Sequence, residues 1–199
     1  MQILTDLVQG SESWLKARSG IITCSCLNDV MAKGEGKTRR TYMLKLIGEV
    51  LTGEPSEGFS NKHTERGHEH EPWAADAYEL RELVQIDRVG LILNHGIGYS
   101  PDGLVELDGL VEIKSKMPHI LLEAIFSDKM PSEHVKQCQG GLWVSERDWV
   151  DFVAFWPKMP LFVKRVYRDE KLIETMRQEV ARFYDEMNEL INKLSQQAA

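Results

Sequence analysis

The stretch YSPDGLVELDGLVEIKSK, residues 99–116, sets Asp102, Glu112 and Lys114 in or beside an apolar alternation typical of buried strands. Two carboxylates a few ångströms apart repel each other unless a cation lies between them. Mg²⁺ is a hard ion that takes oxygen ligands and keeps several waters, so a carboxylate pair suits it. A lysine two residues after such a ligand lies on the same strand face, where it can position or deprotonate a water, or stabilise charge developing on a phosphoryl group. The bland alternative is an exposed Glu–Lys pair on an edge strand, worth under about 1 kcal/mol.

Whether the three charges meet depends on how the stretch folds. Asp108-Gly109 between apolar runs is a hairpin signal with two solutions. A two-residue loop, Asp108-Gly109, pairs 105 with 112 and puts Asp102 on the face opposite Glu112 and Lys114. A three-residue loop, Leu107-Asp108-Gly109, with Gly109 left-handed, pairs 106 with 110, 104 with 112 and 102 with 114. Asp102, Glu112 and Lys114 then share one face, and Val105, Val111 and Ile113 form a clean apolar face on the other. The second register is preferred.

The surrounding elements are legible from periodicity. Ser11 or Ser13 caps a short helix through Trp14 and Leu15, and residues 21–23 lead to Ser25, read as the N-cap of a second helix to about Lys33. After a loop at GEGKT, a helix runs from about Arg39 to Leu51 and ends at Gly53. A polar loop follows, and then Trp73, Ala77, Leu80 and Val84 mark a helix from Glu71, with Pro72 in its first turn. Residues 86–94 and 98–114 read as strands, 121–126 and 133–144 as helices, and 149–156 and 161–167 as strands. Leu172, Met176, Val180, Phe183, Met187, Leu190 and Leu194 define a long amphipathic helix from Lys171. This order predicts an α/β fold, a central mixed sheet flanked by helices, in one domain over 1–199.

The chain has 199 residues, enough for a core without disulfides or structural metals. Cys24, Cys26 and Cys138 are odd in number and fit no zinc spacing, so they read as reduced thiols in a cytoplasmic protein. No run approaches a membrane span, and MQILTDLVQGSES lacks the features of a signal peptide. The net charge of −7 argues by itself against nucleic-acid binding. Its distribution is uneven, however: residues 31–45 carry five basic groups and one acid, whereas 65–87 carry seven acids and two arginines.

Four elements together resemble a known family. S-P-D-G-L at 100–104 with E-I-K at 112–114 is similar to the metal motif of PD-(D/E)xK nucleases, closest to the phage lambda-type alkaline exonucleases of the viral recombinase branch. That family's W-x-x-x-R-x-G-x-I-T-x-S element reads WLKARSGIITCS at 14–25. Its G-x-x-x-E element reads GHEHE at 67–71, and its Q-x-Q-x-x-x-W element reads QCQGGLW at 137–143. The resemblance implies a restriction-endonuclease-like core with a metal site formed by Glu71, Asp102, Glu112 and the carbonyl of Ile113. It implies that Lys114 acts on the attacking water with Gln137 beside it, and that Arg18, Ser25 and Ser100 hold a terminal 5′-phosphate. Lys116 and His119 are the candidates for a further phosphate contact, because SKMPHI departs from the family pattern there. The family's helical wedge at the duplex end is not placed on particular residues.

The implied activity is Mg²⁺-dependent digestion of one strand of linear duplex DNA, 5′ to 3′, with Mn²⁺ as a substitute. The products are mononucleotides and 3′ overhangs for recombination with a single-strand annealing protein. The implied assembly is a homotrimeric ring, in which the basic segment 31–45 lines a channel and reconciles net charge −7 with DNA. Other readings remain beside this one. They are an endonuclease of the same fold, a non-catalytic DNA-end binder, a surface role for Arg18, and ordinary helix positions for Gln137 and Gln139. A zinc site at His68 and His70 is disfavoured, since on a helix they point about 200° apart.

Overall fold

The computed structural model describes residues 1–33, 37–56 and 62–197. The loop expected at GEGKT and the polar loop before the acidic helix lie partly outside these residues. Nine strands and seven α-helices are present among the described residues. They are β1 (Gln2–Leu4), α1 (Glu12–Arg18), β2 (Ile22–Thr23), α2 (Leu27–Val30), α3 (Lys37–Thr52), α4 (Lys62–Glu82), β3 (Ile86–Asp87), β4 (Leu91–Asn94) and β5 (Ile97–Tyr99). There follow β6 (Gly103–Val105), β7 (Gly109–Ser115), α5 (Pro118–Ser127), α6 (Val135–Ser145), β8 (Trp149–Phe155), β9 (Phe162–Tyr167) and α7 (Glu170–Gln197).

The mixed α/β architecture agrees with the sequence reading, but the strands divide between two sheets. One has the order β3-β6-β7-β8-β9 and the other β1-β4-β5-β2. The expected strand 98–114 is therefore three: β5 in the second sheet, β6 and β7 in the first. β7 and β8 run parallel, which requires the α5–α6 crossover between them. β2 and β5 are also parallel, with Thr23 paired to Gly98. Both chains leave that pair in the same direction, so the segments holding Ser25 and Ser100 emerge side by side.

Both faces of the larger sheet are covered. Ala74, Ala75 and Tyr78 of α4 pack with Val105, Val111, Ile113, Trp149 and Val153 on one face. On the other, Leu104, Leu110, Phe152 and Ala154 join Leu142 and Trp143 of α6, and Ile173, Met176, Val180 and Phe183 of α7. The carboxylate face of β7 is thus a second core face, and Glu112 is only 1% exposed.

Several local expectations are corrected. The β6–β7 register pairs Gly103 with Val111 and Val105 with Gly109, so the loop is Glu106-Leu107-Asp108, with Glu106 left-handed at φ 51°. Gly109 lies in the strand, because a Cβ there would stand 2.1 Å from the Trp149 ring. The shift from the preferred register is even, so Asp102, Glu112 and Lys114 still share a face. α4 begins at Lys62 and carries Pro72 inside it. The proline removes one rung of the helix, and burial of Ala74, Ala75 and Tyr78 outweighs that loss. The packed stripe is correspondingly rotated: Trp73 and Leu80 face outward. Ser25 is not an N-cap. It sits within a 3-10 turn, Cys24–Cys26, that runs into the four-residue α2.

Candidate active site

Asp102 stands one residue before β6, next to the Gly103–Val111 pair, and its carboxylate accepts the backbone N–H of Ile113. The segment before it is tied from three directions. Trp14 Nε1 donates to Ser100 Oγ at 3.0 Å, and Gln9 donates to the Pro101 carbonyl at 2.8 Å. Arg88 donates to the Asp102 carbonyl at 2.6 Å. Loops cannot hold a carboxylate against burial and repulsion without such ties.

Glu112 has three donors. Lys114 Nζ and Gln137 Nε2 both reach its Oε1, and Tyr99 OH donates to Oε2 at 2.8 Å. Gln137 arrives there because α6 comes close to the sheet. Its Gly140 lies against Leu27 and Cys24, and its Gly141 against the Tyr99 ring, at separations that leave no room for a Cβ. The neighbouring Gln139 faces elsewhere, bridging the Tyr167 carbonyl and the Asp169 amide.

A cleft of about 660 Å³ brings these groups together with the expected phosphate residues. Asp102, Glu112, Lys114 and Gln137 line it, as do Arg18, Ser25 and Ser100. The guanidinium of Arg18 lies 3.8 Å from the Trp14 ring centroid, and the same indole holds Ser100. The sequence-derived residues Glu71, Ile113, Lys116 and His119 lie outside this lining. Glu71 is ion-paired to Arg88 at 2.7 Å, Lys116 is paired to Glu133 at 2.9 Å, and His119 is exposed on α5.

Electrostatics bind the cluster together. Burial and the neighbouring Glu112 push the Asp102 carboxyl up to about 8 against the opposing pull of Lys114. Burial alone lowers the Lys114 ammonium, but Glu112 and Asp102 outweigh it and raise the group, so it stays charged. Burial also raises the thiols of Cys24 and Cys138, which removes them as nucleophiles.

Among the described residues no three His, Cys, Asp or Glu side chains form a ready metal cluster. The donor set nevertheless fits a hard cation. Two carboxylates, the half-buried Asp102 just before β6 and the buried Glu112 on β7, line one cleft as hard oxygen donors. Mg²⁺ commonly uses only one or two carboxylates and completes its shell with water. Burial is the larger cause of the rise at Asp102, and the repulsion from Glu112 that adds to it is what such an ion would neutralise.

Tyr99, Trp14, Gln9 and Arg88 were not singled out as site residues by the sequence. Tyr99 directly precedes Ser100-Pro101-Asp102, and that adjacency was the available signal.

The fold is that of the PD-(D/E)xK nucleases, a mixed sheet flanked by helices with the Asp102–Glu112–Lys114 set on it. Residues 13–148 match the YqaJ-like viral recombinase domain, and the chain belongs to that family. It is similar to the alkaline exonuclease LHK-Exo from Laribacter hongkongensis, with 36% identity, a TM-score of 0.86, and coverage of 94% of this chain and 98% of that one. The same protein in complex with dAMP matches with a TM-score of 0.87 over the same coverage. A phage-related exonuclease from Haemophilus somnus 129PT shares the fold at 17% identity and a TM-score of 0.67, covering 87% of this chain and 96% of that one. No protein in a curated collection matches the sequence. No helix among the described residues is long and apolar enough to cross a membrane.

Proposed function

We propose that the protein is a divalent-metal-dependent exonuclease that degrades one strand of linear duplex DNA from its 5′ end. The observation that carries this reading is the meeting of two groups of residues in one cleft: Asp102, Glu112, Lys114 and Gln137 with Arg18, Ser25 and Ser100. The relationship to LHK-Exo supports it, since that protein is an alkaline exonuclease whose structure holds dAMP, a nucleoside monophosphate.

Asp102, Glu112 and the Ile113 carbonyl would hold Mg²⁺ or Mn²⁺, with Glu71 joining if it leaves Arg88. An ion held there would supply Lewis acidity toward the phosphodiester. The Lys114 ammonium donates from Nζ to Glu112 and lies where it offsets charge building on the scissile phosphate. Gln137 shares Glu112 Oε1 and orients the same carboxylate. Arg18, stacked on Trp14, presents a planar fork suited to a phosphate, with the Ser25 and Ser100 hydroxyls in the same cleft. A terminal phosphate held there makes the enzyme end-dependent and gives it direction.

The finer reading follows the family resemblance: a homotrimeric ring around DNA, 3′ overhangs and mononucleotides as products, and a single-strand annealing protein as partner. Lys116 and His119 remain proposed phosphate contacts once DNA competes for them. The test is purified protein with Mg²⁺ on linear and covalently closed circular duplex of the same sequence. Release of mononucleotides from the linear form alone is expected. Cutting of the circle at a comparable rate would establish an endonuclease instead.

A further inference from the structure

Glu112 is held asymmetrically. Its Oε1 takes two donors, Lys114 Nζ and Gln137 Nε2, while its Oε2 takes the Tyr99 hydroxyl at 2.8 Å, with no other donor among the described residues. The carboxylate is 1% exposed, so water does not readily replace a lost donor. The terminal torsion of a glutamate is intrinsically broad. Donors on both oxygens fix it, and so fix the directions in which the remaining lone pairs point.

Tyr99 is itself held rigidly. It ends β5, pairs with Ile92, and is 1% exposed. A Cβ at position 141 would stand 2.6 Å from its Cζ and 3.0 Å from its hydroxyl oxygen. The ring is seated against bare backbone of α6, one turn after the Gln137 that grips the opposite oxygen. β5 and α6 thus hold the two ends of one carboxylate, and residue 141 must lack a side chain for both to reach it.

We propose that Tyr99 is a positioning residue that sets the rotation of the Glu112 carboxylate for cation binding, and that Gly141 provides its seat. The inference rests on the reading of Glu112 as a cation ligand. A tyrosine kept only to fill space would be replaced by phenylalanine without consequence for the cation. A tyrosine that orients the ligand would not.

The experiment compares full-length wild type, Tyr99→Phe, Gly141→Ala, the double variant and Glu112→Gln. Ca²⁺ binding is measured by calorimetry without DNA, and kcat and KM on linear duplex are measured across a Mg²⁺ series. Tyr99→Phe keeps the ring, so its melting temperature should stay near wild type. Its Ca²⁺ affinity should fall about 10- to 100-fold, the usual effect of removing a partner of a metal ligand. Its kcat at low Mg²⁺ should fall in step and recover partly at high Mg²⁺, with KM for DNA unchanged. Gly141→Ala should weaken Ca²⁺ binding in the wild-type background and add a smaller loss in the Tyr99→Phe background, where only the Gln137 grip on Glu112 is left to disturb. Wild-type Ca²⁺ affinity and Mg²⁺ dependence in Tyr99→Phe, while Glu112→Gln fails to bind, overturns the inference and leaves the metal site standing. Absence of Ca²⁺ binding by wild type itself overturns the reading of the site, and the inference falls with it.

Discussion

The carboxylate of Asp102 accepts the backbone N–H of Ile113 at 2.5 Å, so one proposed metal ligand is tied to the strand that carries the other, Glu112. The contact fixes their separation and also gives Asp102 a structural share in the hairpin. Asp102→Ala therefore does two things. It removes an oxygen ligand, which should abolish Mg²⁺-dependent hydrolysis, and it leaves the Ile113 amide without its acceptor, costing about 1–3 kcal/mol. Asp102→Asn keeps an acceptor and should be inactive yet more stable than Asp102→Ala. Glu112→Gln should be equally inactive. Urea titrations beside nuclease assays check this, and near wild-type digestion by purified Asp102→Ala would remove Asp102 from the site.

Lys114 is the one ammonium that meets Glu112 among the described residues, and it stays charged because the two carboxylates outweigh its burial. Its proposed work is done as charge develops in the transition state, not in holding the duplex. Lys114→Ala should lower kcat by about 100-fold or more, the scale of a lost acid–base or electrostatic group, with little change in KM. Single-turnover rates in Mg²⁺ and filter binding in Ca²⁺ separate the two effects. A large loss of binding at an unchanged rate would make Lys114 a phosphate tether.

Arg18 lies over Trp14, and Trp14 in turn holds Ser100, so the proposed phosphate pocket is one connected unit. A terminal phosphate carries close to two negative charges near neutral pH. Each charge-assisted hydrogen bond contributes roughly 1.5–3 kcal/mol, and two of them, together about 3–6 kcal/mol, give a preference on the order of hundreds- to tens-of-thousands-fold for 5′-phosphate over 5′-hydroxyl ends. Arg18→Ala should erase most of that preference. Arg18→Lys should not restore it, because an ammonium lacks the stacked planar fork. Equal rates on both kinds of end with wild type would show the pocket to be misassigned.

How much of this was legible in the sequence is clearest at Gly109. Asp108-Gly109 carries a strong local hairpin signal, yet Gly109 sits in β7 because Trp149, forty residues later and paired to it in the parallel β8, covers the space of a Cβ. Only the tertiary pairing reveals that. The shared face of Asp102, Glu112 and Lys114 was legible even so, because strand alternation depends on the parity of the register and not on its exact value. The stripe of α4 was misread for a similar reason: which face of a helix packs is decided by the sheet beneath it. Tyr99 was hidden because a strand tyrosine looks like core until Glu112, thirteen residues on, is seen to bond its hydroxyl. Two substitutions test the corrected turn. Gly109→Ala should destabilise by about 1–3 kcal/mol or more through overpacking against Trp149. Glu106→Gly should be neutral or stabilise by up to about 1 kcal/mol, since Glu106 holds φ 51°. Opposite signs in denaturant midpoints would restore the Gly109 turn.

His134 supplies a pH test away from the proposed ligands. Its ring stacks on Phe152 at 5.2 Å, its Nε2 is buried without a hydrogen-bond partner among the described residues, and Glu133 stands 3.7 Å away, beyond hydrogen-bond range. Burial, with Lys116 and Lys114 adding to it, pushes the imidazole down to about 3 from an ordinary 6.5, while Glu133 opposes the shift. Between those two values the unfolded chain binds a proton that the folded chain refuses, so this group's contribution to stability is present above pH 6.5 and is lost as pH falls toward 3. At pH 5 the loss amounts to about 2 kcal/mol, at 1.36 kcal/mol per pH unit. His134→Gln has no proton to gain and should lose less stability than wild type between pH 7 and pH 5. Urea midpoints of both proteins at the two pH values measure the difference. Parallel losses would show that the His134 imidazole accepts its proton in the folded protein as readily as in the unfolded chain.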